Sequence, residues 1–476
     1  MAPLLLALAP TVLLAQATGD SPYSSFGLGD LQPQALTPAA LMGGTGVALN
    51  EPIGLVLGNP ASYPNLFRPS FEGGLGIRTT RYSSSSGKDT RKDAGIAGFG
   101  VGVPFGKGKW GLALGLVPMS DVGYSITDVR SSEVGDIRYS YTGSGGVDRV
   151  FVGLGRVLHR GKALDKGGKA SRLTVGANFD FLFGSVAQTR DAEYPLNTGF
   201  SDTRAFSSLV LRAPTFDAGL QFNSQLIPKE RVALGLERRK QRYEAKVAAW
   251  KAAHPGEDVP FPALRVREAV PWRYTIGATI APVTVMNATF TELVSSYITT
   301  STGVETIRDT IRYNPGTRGT LELPMDLGLG VSVNNDRWTF TAEVHQRDWS
   351  ALKLNVADHA LPAPLRSTMT YAAGARFQPA YDGNVFARSI YRAGLRYGDD
   401  YREVFGRSLT ATSVTLGLSM PINAAQTNSY IHFGVEAGQH GTTEGGLIQE
   451  RWLMFRVGFS ITPWKGERWF VPYRIQ

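Results

Sequence analysis

Over most of its length the chain alternates hydrophobic and polar residues one by one. In 321–333, LELPMDLGLGVSV, one face of an extended strand carries Leu321, Leu323, Met325, Leu327, Leu329, Val331 and Val333. The other carries Glu322, Pro324, Asp326, Gly328, Gly330 and Ser332. Residues 172–183 repeat the division, with Leu173, Val175, Ala177, Phe179, Phe181 and Phe183 opposite Thr174, Gly176, Asn178 and Asp180. A period of two predicts strands whose two faces meet different surroundings.

Marking every such stretch predicts strands near 70–82, 93–105, 109–127, 146–158, 171–187, 211–226, 272–298, 318–332, 336–350, 365–378, 384–398, 408–421, 429–440 and 448–462. The number is fourteen, and even. Tight connections at 106–108, 333–335, 379–383 and 422–428 alternate with longer polar ones at 128–145, 188–210, 299–317 and 351–364. Short turns at one rim and long loops at the other are the pattern of an outer-membrane barrel. A soluble sandwich or propeller would use shorter strands without that alternation. The pattern therefore predicts an all-β fold, a 14-stranded antiparallel transmembrane β-barrel, with the charged side of each strand facing the lumen.

Composition supports export. Residues 1–17, MAPLLLALAPTVLLAQA, pair an apolar run with an Ala15-Gln16-Ala17 cleavage pattern, although the start carries no Lys or Arg. We read them as a signal peptide, against the alternative of a short buried helix. No later apolar run is long enough for a spanning helix. The chain has no cysteine, which excludes disulfides and thiolate metal sites.

Glycine recurs on the inward face of the strands: Gly74, Gly76, Gly176, Gly219, Gly277, Gly328, Gly330, Gly374, Gly394, Gly417, Gly434 and Gly458. Glycine inside a strand marks curvature or a close approach of other chain. The number of sites favours an occupied lumen. Residues 18–69 are the natural occupant, since they precede the first strand, form none of their own and are apolar, with few charges. A long irregular segment of that composition is functional rather than disordered. The layout is then a signal peptide (1–17), a hatch or plug (18–69), a barrel (70–462) and a short C-terminal tail (463–476).

One connection differs. Residues 227–271 contain a helical pattern from Lys229 to about Ala253, with Leu236, Tyr243, Val247 and Trp250 on one side and Arg238, Arg239, Lys240, Arg242 and Lys246 around the rest. It reads as a solvated charged surface or as a docking element for a periplasmic partner or lipid headgroups. The net charge of +9 brings no nucleic-acid signature with it. Catalytic patterns are thin. GKGKWG at 106–111 joins two strands and opens no helix, the six histidines are scattered, and no G-x-S-x-G elbow occurs. No cofactor, metal or enzymatic activity is expected.

The segments PYSSFGLGD (22–30), LMGGTGVAL (41–49) and GNPASY (58–63), followed by RPSFEGGLGI, resemble the FadL-type outer-membrane transporter family of long-chain fatty acids and hydrocarbons. The closing WFVPYRIQ is similar to Bacteroidetes-like members. The resemblance implies passive uptake of a small hydrophobic molecule in an outer membrane of lipid and lipopolysaccharide. It assigns Asn59, Pro60 and Ala61 to a ligand-gating hatch motif, and Pro118, Ser120, Asp121 and Gly123 to a third-strand kink that opens the wall. The expected lumen also carries Asp180, Asp217, Asp326, Glu343 and Glu436, so a wholly apolar tunnel is not expected. Arg78, Arg376, Arg392, Arg396 and Arg456 are candidate anchors for a ligand carboxylate, the alternative being that these charges pair among themselves and with the hatch. Relatives that serve as scaffold or shuttle subunits in protein secretion supply the alternative.

Overall fold

The computed structural model describes residues 21–85, 87–133, 135–161, 171–195, 199–255, 258–260, 271–300, 303–357, 364–380, 383–422 and 429–462. The expected signal peptide and C-terminal tail lie outside the described residues.

Eighteen extended segments join in one antiparallel sheet. Two are accessory, Asp30–Leu31 and Lys353–Asn355, and two barrel strands are each interrupted once, so the wall has fourteen staves. They are β1 (Ser70–Ser83), β2 (Lys88–Phe105), β3 (Trp110–Ser132), β4 (Gly135–Arg160), β5 (Arg172–Glu193), β6 (Asp202–Ile227) and β7 (Trp272–Ala281 continued by Thr284–Thr299). Then follow β8 (Glu305–Leu323 continued by Asp326–Asn334), β9 (Trp338–Asp348), β10 (Ser367–Phe377), β11 (Ile390–Val404), β12 (Arg407–Pro421), β13 (Tyr430–His440) and β14 (Gln449–Ile461). The β14–β1 ladder, from Gln449↔Ser83 to Ile461↔Phe71, closes the cylinder. We call the rim where β1 begins the lower rim.

The outer face explains the alternation. Leu75, Ile77, Val150, Val152, Leu154, Phe179, Phe181, Phe216, Leu329, Val331, Leu416 and Phe455 all point outward and are exposed. An apolar band around a closed, laddered wall is a surface that lipid solvates at no cost.

Two expectations from the sequence are corrected. The long polar loops at 128–145, 188–210 and 299–317 are mostly strand: β3 and β4 pair as far as Ser132↔Gly135, and β5 runs to Glu193. The staves from β3 to β8 therefore stand tall at the upper rim, where both faces are wet and no apolar alternation betrays them. Second, 321–333 do not keep one face. Interruptions at 282–283 in β7 and 324–325 in β8 lie side by side, with Thr284↔Leu323 and Ala281↔Asp326 flanking them. Each shifts the parity of its strand, so Leu321 and Leu323 turn into the lumen while Leu327 and Leu329 face outward. Pro282 and Pro324, which cannot donate to a ladder, sit at these breaks.

The helical excursion is α1 (Lys229–Ala253), at the lower rim between β6 and β7. Among its described side chains none is buried.

Candidate functional site

Residues 21–69 fill the barrel, and the inward glycines make room for them. A Cβ at Gly219 would stand 2.0 Å from Asn59 Oδ1, one at Gly277 2.1 Å from Val47 O, and one at Gly394 2.0 Å from Gly43 N. Such separations are not available to real side chains. Gly176 meets Pro60, Gly330 meets Val47, Gly374 meets Met42, Gly417 and Gly434 meet Leu41, and Gly74 and Gly458 meet Thr37. Of the twelve inward glycines read from the sequence, only Gly76 and Gly328 face other wall side chains instead. Gly111, Gly153 and Gly155 extend the same recess against Tyr63, Pro60 and Pro64.

Polar groups stitch this plug to the wall. Asn59, fully buried, donates through Nδ2 to Val47 O (2.7 Å) and to Leu220 O (3.2 Å) on β6, while its Oδ1 accepts from Ala61 N (2.9 Å) and caps the turn Pro60–Asn65. Glu343 on β9 accepts from Gly46 N (2.7 Å) and Val47 N (2.8 Å), and Glu72 on β1 accepts from Leu55 N (2.7 Å). Glu51 of the plug lies between two buried wall arginines, 3.3 Å from Arg392 and 3.6 Å from Arg376. Tyr63 donates to Asn178 Oδ1 (3.0 Å), and burial raises its phenol above the ordinary range.

The start of the segment reaches the upper part of the lumen. Ser21 donates to Glu450 Oε1 (2.7 Å), and Arg402 donates to Tyr23 O (2.6 Å) and Asp30 Oδ1 (2.8 Å). Tyr401 accepts from Leu28 N (3.1 Å) and donates to Gly29 O (2.6 Å). Tyr23 donates to Ile448 O, and burial pushes its phenol up to about 12, so it remains a donor. Leu28 and Tyr401 pack with Trp349, Leu352, Leu209, Met286 and Leu321 in an apolar cluster that closes the upper lumen.

The wall has one short seam. β2 and β3 pair only from Phe99↔Leu116 to Phe105↔Trp110, whereas β3 continues beside β4 to its end. Above Leu116, the plug takes the place of β2 as the partner of β3. Asp30 and Leu31 pair with Asp121 and Ser120, Gln32 N donates to Met119 O (2.9 Å), and Ser21 N donates to Gly123 O (2.8 Å). Gln34 Nε2 reaches Pro118 O (3.0 Å), and a bulge separates Pro118 from Ser120. The residues Pro118, Ser120, Asp121 and Gly123 thus lie where β3 leaves β2.

Between plug and wall a cavity of about 250 Å³ remains, bounded by Gln32, Gln34 and Leu57 of the plug and, on the wall, by apolar residues such as Met119, Leu182, Leu323 and Trp349 together with charged ones. Arg149 sits 3.1 Å from Asp217 and 3.8 Å from Asp180. Arg347 pairs with Asp326, and His345 bridges Asp326 (3.4 Å) and Glu343 (3.3 Å). The five candidate arginines separate here. Arg376 and Arg392 hold Glu51, Arg456 pairs with Glu436 (2.7 Å), and Arg78 lies over the Trp452 ring at 4.6 Å. Arg396 alone lines the cavity, and among the described residues it makes no ion pair. Of the acids that complete these pairs, Asp180, Asp217, Asp326, Glu343 and Glu436 are among the lumenal charges read from the sequence, whereas Glu51 of the plug was not singled out. An acid in an apolar segment was the available signal.

The family described as BamG matches the sequence over residues 2–246 and 269–476. Among solved structures, the P. putida toluene transporter TodX superposes with a TM-score of 0.52 at 15% identity, covering 90% of this chain and 99% of that one. A Pseudomonas aeruginosa FadL homologue gives 0.51 at 12% identity, covering 91% and 99%. These likenesses establish a shared fold. No curated protein matches the chain.

Proposed function

The chain belongs to the BamG family, and from that premise we propose that it is an outer-membrane barrel with a plugged lumen, acting as a membrane-embedded docking subunit for protein partners. The observation that carries this reading is the state of the lumen. The plug fills glycine recesses on at least seven staves, is held by buried ion pairs, and leaves about 250 Å³ in which Arg149, Asp180, Asp217, Asp326, Glu343 and Arg347 stand among apolar side chains. Ligand pockets usually offer about 300–1,000 Å³. A hydrocarbon in this space would desolvate carboxylates and guanidiniums without replacing their partners, which is unfavourable. Outside the lumen, Arg238, Arg239, Lys240 and Arg242 of α1 present an exposed cationic surface at the lower rim, suited to an acidic partner.

The test is a plug lock. Leu31 of the plug and Ser120 of β3 are direct partners in an antiparallel pairing, close enough for a disulfide in a chain without cysteine. The variant Leu31→Cys/Ser120→Cys, oxidised in the membrane, should complement a deletion strain as well as wild type. Loss of complementation, restored by reductant, would mean that the plug must move and would defeat the docking reading.

A second reading has its own support. The seam above Leu116, and the fold shared with the toluene transporter TodX and the FadL homologue, favour passive passage of a hydrophobic molecule sideways through the wall. Pro118→Ala and Asn59→Ala would then slow uptake of labelled toluene or oleate. Unchanged uptake in both variants would exclude that route.

A further inference from the structure

We infer that the upper edge of β8 is a docking site for an extended strand of a partner protein, added antiparallel to the barrel wall outside the membrane. The tall staves β3 to β8 rise above the lipid as a sheet, and such a sheet has two edges. On this side the exposed apolar band ends at Val285 and Met325. Above it, Arg212, Asn287 and Thr320 stand side by side on the outer face. From there β8 climbs to Glu305 with β7 along one side, paired from Leu323↔Thr284 to Glu305↔Thr299. Along its other side, pairing stops at Thr320↔Asn355, where the accessory strand Lys353–Asn355 ends. Among the described residues no strand pairs with that edge between Glu305 and Thr317. Short turns mark the lower rim as periplasmic, so the bare edge faces the exterior.

The edge carries the side chains of an interface. Ile307, Ile311 and Tyr313 are 67%, 60% and 64% exposed, above the level that lipid covers. A bare strand edge with apolar side chains is a template for another chain, and proteins guard such edges. The opposite edge of the sheet, on β3, is guarded. There Arg91 of β2 donates to Ser125 O (2.9 Å), Ser21 N donates to Gly123 O (2.8 Å), and Arg130 pairs with Asp128 (2.7 Å). On β8 the charges turn elsewhere: Glu305 pairs with Arg204 of β6, and Arg312 with Glu292 of β7. Bulges between Ile307 and Asp309, Thr310 and Arg312, and Asn314 and Thr317 bend the strand, so only a segment matched to this path follows it. Lys353–Asn355, antiparallel at the foot of the same edge, already shows the mode of addition. A second copy of the chain fits less well. Two barrels in one membrane are related by an axis along its normal, which sets their β8 edges parallel, the less stable pairing. The occupant is therefore a short antiparallel strand with β-branched or aromatic side chains, carried by a protein at the cell exterior and held chiefly by main-chain hydrogen bonds. This inference rests on the docking reading and adds to it a contact on the side of the membrane opposite α1.

The experiment places the photo-cross-linking residue p-benzoylphenylalanine at Ile307, Asp309, Ile311 or Tyr313 of the full-length chain in intact cells. Phe405, 84% exposed in the turn between β11 and β12, is the control position. Each β8 position should give a discrete protein adduct that Phe405 does not. Mass spectrometry of the cross-linked peptides should map all four to one segment of one partner, with residue numbers that fall as those of β8 rise. The variant Ile307→Lys/Ile311→Lys should lose the adduct at Asp309, while heat-modifiable gel mobility shows that its barrel is folded. Reversing Arg238, Arg239 and Arg242 to Glu should leave the adducts in place, which separates a failure of α1 to dock from a failure of this edge. Adducts no stronger than at Phe405, adducts to a second copy of this chain or to lipopolysaccharide, or a partner segment that runs parallel to β8 would overturn the assignment and leave the docking reading to α1 alone.

Discussion

Glu51 offers the sharpest test of what holds the plug. Its side chain is 4% exposed and faces Arg392, 2% exposed, and Arg376, 10% exposed. Replacing it by alanine leaves two buried guanidiniums side by side without their ion-pair partner. Breaking a buried pair by removing one member costs about 3–5 kcal/mol. Three groups share this contact, and the fault falls on the plug–wall junction, so the lower bound of about 3 kcal/mol is the safer figure. That corresponds to more than about a hundredfold in the plug-release equilibrium. Hydrogen exchange by mass spectrometry on the purified barrel reads it directly, at the amides of residues 46–57. Glu51→Ala should speed their exchange at least about a hundredfold, and Glu51→Gln should fall between it and wild type. Replacing the whole cluster, Glu51→Leu with Arg376→Leu and Arg392→Met, should recover most of the protection, because no charge is then stranded. Wild-type exchange in Glu51→Ala, or a triple variant as loose as the single one, would refute the reasoning.

Other outcomes follow from named contacts. Gly394→Val would put a side chain where Gly43 and Met42 backbone atoms lie at 2.0 and 2.3 Å, so the heat-modifiable folded form should disappear; Gly87→Ala, which meets nothing within 4 Å, should be neutral. Tyr401→Phe removes the hydroxyl that binds Leu28 N and Gly29 O, at a cost of about 1–3 kcal/mol, and limited proteolysis should then cut residues 21–31 about tenfold faster or more. Reversing Arg238, Arg239 and Arg242 to Glu should leave the barrel's stability unchanged, since all three are exposed, while abolishing complementation if α1 docks an acidic partner. Equal complementation by that variant would remove α1 from the interface.

Much of the architecture was legible because lipid and lumen impose opposite demands on alternate residues. Phe179 and Phe181 beside Asn178 and Asp180 could be read only one way. The plug was legible too, through glycines such as Gly219 and Gly394 that no simple strand requires. The upper walls were hidden. Residues 128–145 have the glycine and polar content of a loop, and outside the lipid a strand wet on both faces keeps no period. The parity shift at Pro324 was hidden for another reason: a matched break in β7 preserves the pairing register, and no single strand shows its neighbour's irregularity. At the site, the sequence showed that the lumen carries arginines but not which were engaged. Arg392 and Arg396 lie on one strand and one face, and only the position of Glu51 in three dimensions separates them.

The plug's upper contacts have a consequence for how the molecule is made. Ser21 is joined to Glu450, 429 residues later, and Tyr23 and Asp30 to Arg402. The start of the plug is therefore completed only by strands some four hundred residues later in the chain. A closed cylinder offers no way to thread a segment whose backbone nests in wall recesses on many sides at once. The sheet must instead curl around residues 21–69 while the edges of β1 and β14 are still apart, and their ladder must zip last. Contacts this distant in sequence form slowly and leave strand edges exposed meanwhile. For this chain, then, sealing the barrel and seating the plug are one event, and the β1 and β14 edges stay open until it happens.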